Sequence, residues 1–188
     1  MFMTRFLSLL ICVLLVVSAG AVCATPPVGD QGVSGDMEAD DSDGDMEADK
    51  GSGLPLPRFA SLKSDNVYVR TGPSMDYPIK WIYKKEGLPV EIIQEFDAWR
   101  KIKDPNGEVG WAHKILLSGK RTAWISSPTP VQAFDDDDLD KPVVQFAHGV
   151  VVKVKECQKL TCRVEFAPYK GWIEKKYLWG VYGSDIFN

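Results

Sequence analysis

Few residues of this chain could do covalent chemistry. It has 188 residues with four cysteines and two histidines, His113 and His148. A hydrolase needs a nucleophile, a base and a group that orients the base. Cys157 and Cys162 are the cysteines that sit outside the first 24 residues, and both histidines fall at turn or strand-end positions. None of GxxxxGK[ST], HExxH or GxSxG is present. The expectation is therefore a protein without catalytic residues, without a metal site and without a cofactor. Cys157 and Cys162 fit a disulfide in an exported chain, because zinc needs more ligands than these residues and two distant histidines supply.

Two further stretches invite a chemical reading. "RTGPS" (70–74) has the polarity of a phosphate loop, but it carries one glycine and no helix pattern follows to add amide donors. It reads as a loop whose turns are fixed by Pro73 and Pro78, with Arg70 facing out beside Asp76. "DDSDGDMEADK" (40–50) puts Asp41, Asp43 and Gly44 at positions 3, 5 and 6 of a calcium loop. Position 1 would then be Ala39 and position 12 Lys50, so the closing bidentate carboxylate is missing. "FDDDDLD" (134–140) reads as an exposed loop of self-repelling charges.

The elements that would position these residues fall into distinct segments. Residues 1–24 place Arg5 before an apolar run from Phe6 to Val17 and small residues ending in "SAGAVCA", the layout of a secretory signal peptide. The run is shorter than the ~20 residues of a membrane span, so no span is expected once the signal is removed. Val22 before Cys23 argues against lipid anchoring, which favours a small residue there. Export, to the periplasm or outside the cell, is expected.

Residues 25–55 are expected to be a disordered acidic linker: they contain no aromatic residue and a tandem "GDMEAD". Residues 25–53 carry nine acidic and one basic side chain (−8), whereas residues 54–188 carry 17 acidic and 20 basic (+3). The scattered basic residues and export argue against nucleic acid as a partner.

From Arg58 onward, short runs rich in β-branched and aromatic residues alternate with Gly, Pro, Asp and Asn. "NVYVR" alternates cleanly, "VEIIQEF" imperfectly, and turn signals recur every 8 to 12 residues. The expected class is all-β. A shift of 62 residues lays "GLPVEIIQEFDAWRKI" (87–102) over "GVVVKVKECQKLTCRV" (149–164). One deletion later, "EVGWAHKILL" lies over "YKGWIEKKYL", aligning Gly110 with Gly171 and Trp111 with Trp172. Two copies of one small barrel follow, at 56–120 and 121–183, with a C-terminal tail at 184–188.

In each copy the Gly before the Trp permits close strand approach, and the Trp fills core. "DPNGE" (104–108) is a hairpin turn with Asn106 and Gly107 suited to positive φ. Copy two has Thr161 where copy one has Trp99, so its disulfide is expected to replace an aromatic clasp. The ten residues "LSGKRTAWIS" are too few for a loose tether and hold Trp124, so the barrels are expected to touch.

The motifs "SLKSDNVYVRTGPSMDYPI", "GEVGWAHKILLSGKRT" and "KGWIEKKYLWGVY" resemble bacterial SH3-type domains. Their tandem arrangement is similar to that of a family of exported, mainly alphaproteobacterial proteins with SH3-like domains. The resemblance implies two SH3-like barrels and a module that recognises peptidoglycan or an extended peptide; an adaptor that docks an envelope or secreted protein is the alternative. The candidate ligand residues are Tyr68, Arg70, Tyr77, Trp81 and Trp99, with Trp81 and Trp99 expected to be the exposed aromatics. In copy two "VRTGPS" gives way to "VQAFDDDD", so binding is expected in the first barrel. A third reading packs the barrels together so that both candidate faces are covered.

Overall fold

The computed structural model describes residues 51–188, which all lie in one compact unit. The expected signal peptide, most of the acidic linker and the incomplete calcium loop lie outside the described residues. Among those described there is no α-helix, and none is therefore long and apolar enough to cross a membrane.

The first copy contains β1 (Arg58–Leu62), β2 (Val67–Arg70), β3 (Ile79–Tyr83), β4 (Pro89–Phe96), β5 (Trp99–Lys103), β6 (Val109–His113) and β7 (Leu117–Ser118). The second contains β8 (Thr122–Ile125), β9 (Val131–Phe134), β10 (Pro142–Phe146), β11 (Val151–Cys157), β12 (Thr161–Phe166), β13 (Tyr169–Glu174) and β14 (Leu178–Trp179). Sheet order is β3-β2-β6-β5-β4-β1-β7 in one and β10-β9-β13-β12-β11-β8-β14 in the other, the same permutation strand for strand. Each copy ends with one 3-10 turn before its last strand, Lys114–Leu116 and Lys175–Tyr177. The protein is thus all-β, two tandem SH3-like barrels.

The 62-residue shift holds at the level of register. Ile92 faces Ile102, and Val154 faces Val164. A bulge interrupts the pairing between Ile92 and Gln94, and another between Val154 and Glu156, at equivalent positions. The extra residue explains the imperfect alternation of "VEIIQEF", because a bulge resets which face each following side chain takes. Strict alternation in β2 buries Val67 and Val69 and leaves Tyr68 outside. Those valines join Val90, Ile92, Ile102 and Ala112 in one core; Val131, Ala133, Val152, Val154, Val164 and Ile173 make the other.

Gly110 and Gly171 sit where β6 and β13 cross close to β2 and β9. A Cβ on Gly110 would stand 2.4 Å from the Val69 side chain, and one on Gly171 2.9 Å from the Phe134 carbonyl oxygen. Trp111 and Trp172 beside them are buried. In the 104–108 turn only Gly107 has positive φ (87°), not Asn106. Asp104 removes the need: its Oδ1 accepts from the amides of Asn106 and Glu108, both at 2.9 Å, which holds Asn106 in an ordinary conformation.

The barrels touch, as the short connection requires. Trp124 and Val151 of the second copy pack on the first copy's core. Phe59 meets the rings of Trp179 (5.0 Å, edge-on) and Tyr182 (4.6 Å). The Tyr182 hydroxyl donates to Glu91 at 2.9 Å, and Lys85 Nζ donates to the Gly149 carbonyl at 2.9 Å. Burial and the Glu91 carboxylate push the Tyr182 phenol above its ordinary value, so it remains a donor. The 184–188 segment also docks: Phe187 pairs with Cys157, and buried Lys175 donates to the carbonyls of Gly183 and Asp185.

Candidate functional site

The 71–78 loop is built by its own side chains. Thr71 donates its amide to the Pro78 carbonyl (3.1 Å), which closes the loop at its base. Arg70 Nη1 crosses the same gap to the Tyr77 carbonyl at 2.6 Å, while Asp76 accepts from Ser74 Oγ at 2.8 Å. Arg70 is therefore a clasp of the loop and not a partner of Asp76. Gly72 is the floor on which the Tyr77 ring lies, since a Cβ there would fall 2.5 Å from ring carbons. The loop has the architecture of a corner, closed by its own hydrogen bonds.

The ribbon that the loop joins presents a different surface. Tyr68 and Ile82 are cross-strand partners on its outer face, and both are exposed, Tyr68 at 45%. Ile79, opposite Arg70, is exposed, as are Met75 and Tyr77 (46%). β3 is the terminal strand of its sheet. The inward side of β3 carries Trp81 and Tyr83, stacked edge-on at 5.9 Å, and Lys80 lies 4.6 Å above the Trp81 ring. Burial and Asp104, which accepts from the Tyr83 hydroxyl at 3.0 Å, push that phenol up.

Of the five candidate residues, Tyr68, Arg70, Tyr77 and Trp81 fall on this ribbon and loop. Trp81 is half-buried, its flank on the core. Trp99 does not belong with them: it is 7% exposed, not the open aromatic expected after a polar turn. It pairs with His113 across the sheet, their rings 5.4 Å apart and perpendicular, and the amide of Lys114 closes over the Ala98 carbonyl at 2.8 Å. That cover comes from a strand ten residues downstream, which no local pattern reveals. Ile79 and Ile82 were missed because strict alternation puts residues three apart on opposite faces; the register shift between Val69 and Arg70 leaves both exposed.

Contact between the barrels uses β1, β4, β8 and β14 with the C-terminal segment, at the other end of the sheet from β3. The ribbon face is left uncovered, contrary to the arrangement in which packing hides both candidate faces. The second copy has an equivalent loop: the Asp135 amide closes it on the Lys141 carbonyl at 2.8 Å, as Thr71 does on Pro78. Acidic side chains replace its aromatic and proline content.

Residues 63–119 match the family model described as the bacterial SH3 domain. The first barrel is similar to bacterial SH3 domains over that stretch. The match runs from the end of β1 through the last short strand, and includes the loop and ribbon just described. No curated protein matches the chain. Two solved structures from Trichomonas vaginalis are similar to it: NlpC1, at 13% identity and TM-score 0.31, and NlpC2, also at 13% and 0.31. They cover 71% and 67% of this chain, respectively, which spans about half of each (49%).

Neither histidine meets a thiol. His113 stacks on Trp99 and its Nδ1 accepts from the Ile115 amide; His148 stacks on Trp124 at 5.8 Å, with Nδ1 3.0 Å from the Ser127 carbonyl. Cys157 and Cys162 are joined as a disulfide. Among the described residues no group of three or more His, Cys, Asp or Glu is placed to hold a metal ion.

Proposed function

We propose that this protein is an exported, non-catalytic binding module, in which the SH3 domain recognises peptidoglycan or an extended peptide of the cell envelope along the β2–β3 ribbon. The observation that carries this reading is the exposed Tyr68–Ile82 cross-strand pair on the ribbon that ends the sheet. A terminal strand offers unpaired backbone groups to an extended chain, and aromatic and aliphatic side chains beside it offer pockets for alternate side chains. Tyr77, held flat on Gly72 at the loop's rim, extends the same face. The bridged cysteines and the stacked histidines are consistent with binding without chemistry.

Retention of the purified protein on peptidoglycan sacculi tests the proposal. Retention at low salt is expected, with a severalfold loss in Tyr68→Ala and Ile82→Ala. No retention overturns the wall-binding part. A photo-crosslinker at position 68 that traps one discrete envelope protein in cells would favour the adaptor reading in its place.

A further inference from the structure

A cleft of about 1080 Å³ opens between the two barrels, on the side away from the β2–β3 ribbon. Six cations line it: Lys63, Lys85, Lys120, Arg121, Lys153 and Lys155, against two carboxylates, Glu86 and Glu165. One of those carboxylates is already engaged, as Lys155 pairs with Glu165 at 3.2 Å. The folded region as a whole is only slightly basic, so this cleft concentrates its positive charge. Its wall is aliphatic, formed by Leu62, Val150, Val151, Val152 and Val154.

We infer that this cleft is a second binding site, for an acidic peptide in extended form. Carboxylates of the ligand meet the cationic rim, and its aliphatic side chains lie on the valine wall. Nucleic acid and glycan fit less well, because base and sugar recognition use open aromatic platforms and only Phe166 and His148 supply rings here. One of the cleft's cations, Lys153, comes from a reversal between the repeats. Glu91 faces Lys103 in the first hairpin, and at the same register Lys153 faces Glu165 in the second. The first copy turns its carboxylate to Tyr182 at the interface; the second turns its lysine to the cleft.

The test is fluorescence anisotropy of a labelled peptide of alternating Glu and Val, titrated with the full chain at low salt. Saturable binding is expected, weakened about tenfold or more by Lys120→Glu with Lys153→Glu, since both side chains are exposed and neither pairs with a carboxylate among the described residues. Tyr68→Ala should leave this titration unchanged, so failure here is distinct from failure of the ribbon reading. Absence of binding, or equal binding by the double lysine variant, overturns the inference. Equally tight binding of a polyphosphate of the same charge overturns the assignment to a peptide.

Discussion

Glu95 and Arg100 face each other across the β4–β5 hairpin, Arg100 Nε 2.9 Å from the carboxylate, with both side chains 6% exposed. Cys157 and Cys162 occupy those same positions across β11–β12, bonded to each other with Cα atoms 4.1 Å apart. The second copy therefore has a covalent bridge where the first has a buried ion pair. This corrects the expectation that the bridge stands in for Trp99, whose position in the second copy is held by Thr161, one residue away from the cysteine. Arg58 and Ser52 add further bonds to Glu95, so the ion pair also ties the start of the described chain to the hairpin.

The two clasps should fail under different conditions, and acid should release the first. Burial alone would raise the Glu95 carboxyl, but hydrogen bonds from Arg58 and Ser52 outweigh it and hold the group at about 2, against an ordinary 4.5. A depressed folded value gives stability that is complete above the unfolded value and lost as pH falls from about 4.5 to about 2. Hydrogen exchange followed by mass spectrometry should show the 89–103 hairpin loosening across that window before the 151–166 hairpin does. Glu95→Gln should abolish the difference; simultaneous loosening in the unmodified protein would contradict it.

Reductant should act on the other barrel. The bridge closes a loop of sequence separation 5, a constraint worth about 2 kcal/mol in the chain-entropy account. Reductant should lower the melting temperature and speed hydrogen exchange in the 151–166 hairpin, while leaving exchange in the first hairpin unchanged. An unaltered melt would mean that the bridge contributes nothing beyond the strand pairing around it.

Alanine at the crossing glycines should destabilise both barrels, by about 1 to 3 kcal/mol each. The larger loss belongs to Gly171→Ala, because its added methyl meets a backbone carbonyl held by sheet bonds, whereas at Gly110 the nearest atom is a valine side chain. Chemical denaturation with both hairpins monitored gives the order; a neutral Gly171→Ala would show that β9 and β13 have room to part.

Tyr182→Phe should uncouple the barrels. It removes the donor to the buried Glu91 carboxylate while keeping the ring against Phe59. A hydrogen bond to a charged group contributes about 1.5 to 3 kcal/mol. Calorimetry should show one transition splitting into two, and a single unshifted transition would place the coupling elsewhere, in the Phe59 and Trp124 contacts.

The sequence by itself determined the repeat, the strand pattern and the inward valines of β2. These rest on local alternation, on glycines that only a close crossing requires, and on a 62-residue self-similarity that register confirms. It also placed the disulfide, because Cys157 and Cys162 lack the further ligands that a metal site needs. Tertiary structure alone decided which side chains are exposed. Trp99 is covered by His113 and the turn beyond it, and Arg70 spends its guanidinium on a loop carbonyl, both through partners distant or irregular in sequence. The 62-residue shift lays Glu95 over Cys157 and Arg100 over Cys162, but only the folded hairpin shows the first two as a buried ion pair, and the interbarrel cleft needed both barrels to be docked. Burial and electrostatics are sums over neighbours, and the neighbours are set by how strands cross, not by the order in which residues follow one another.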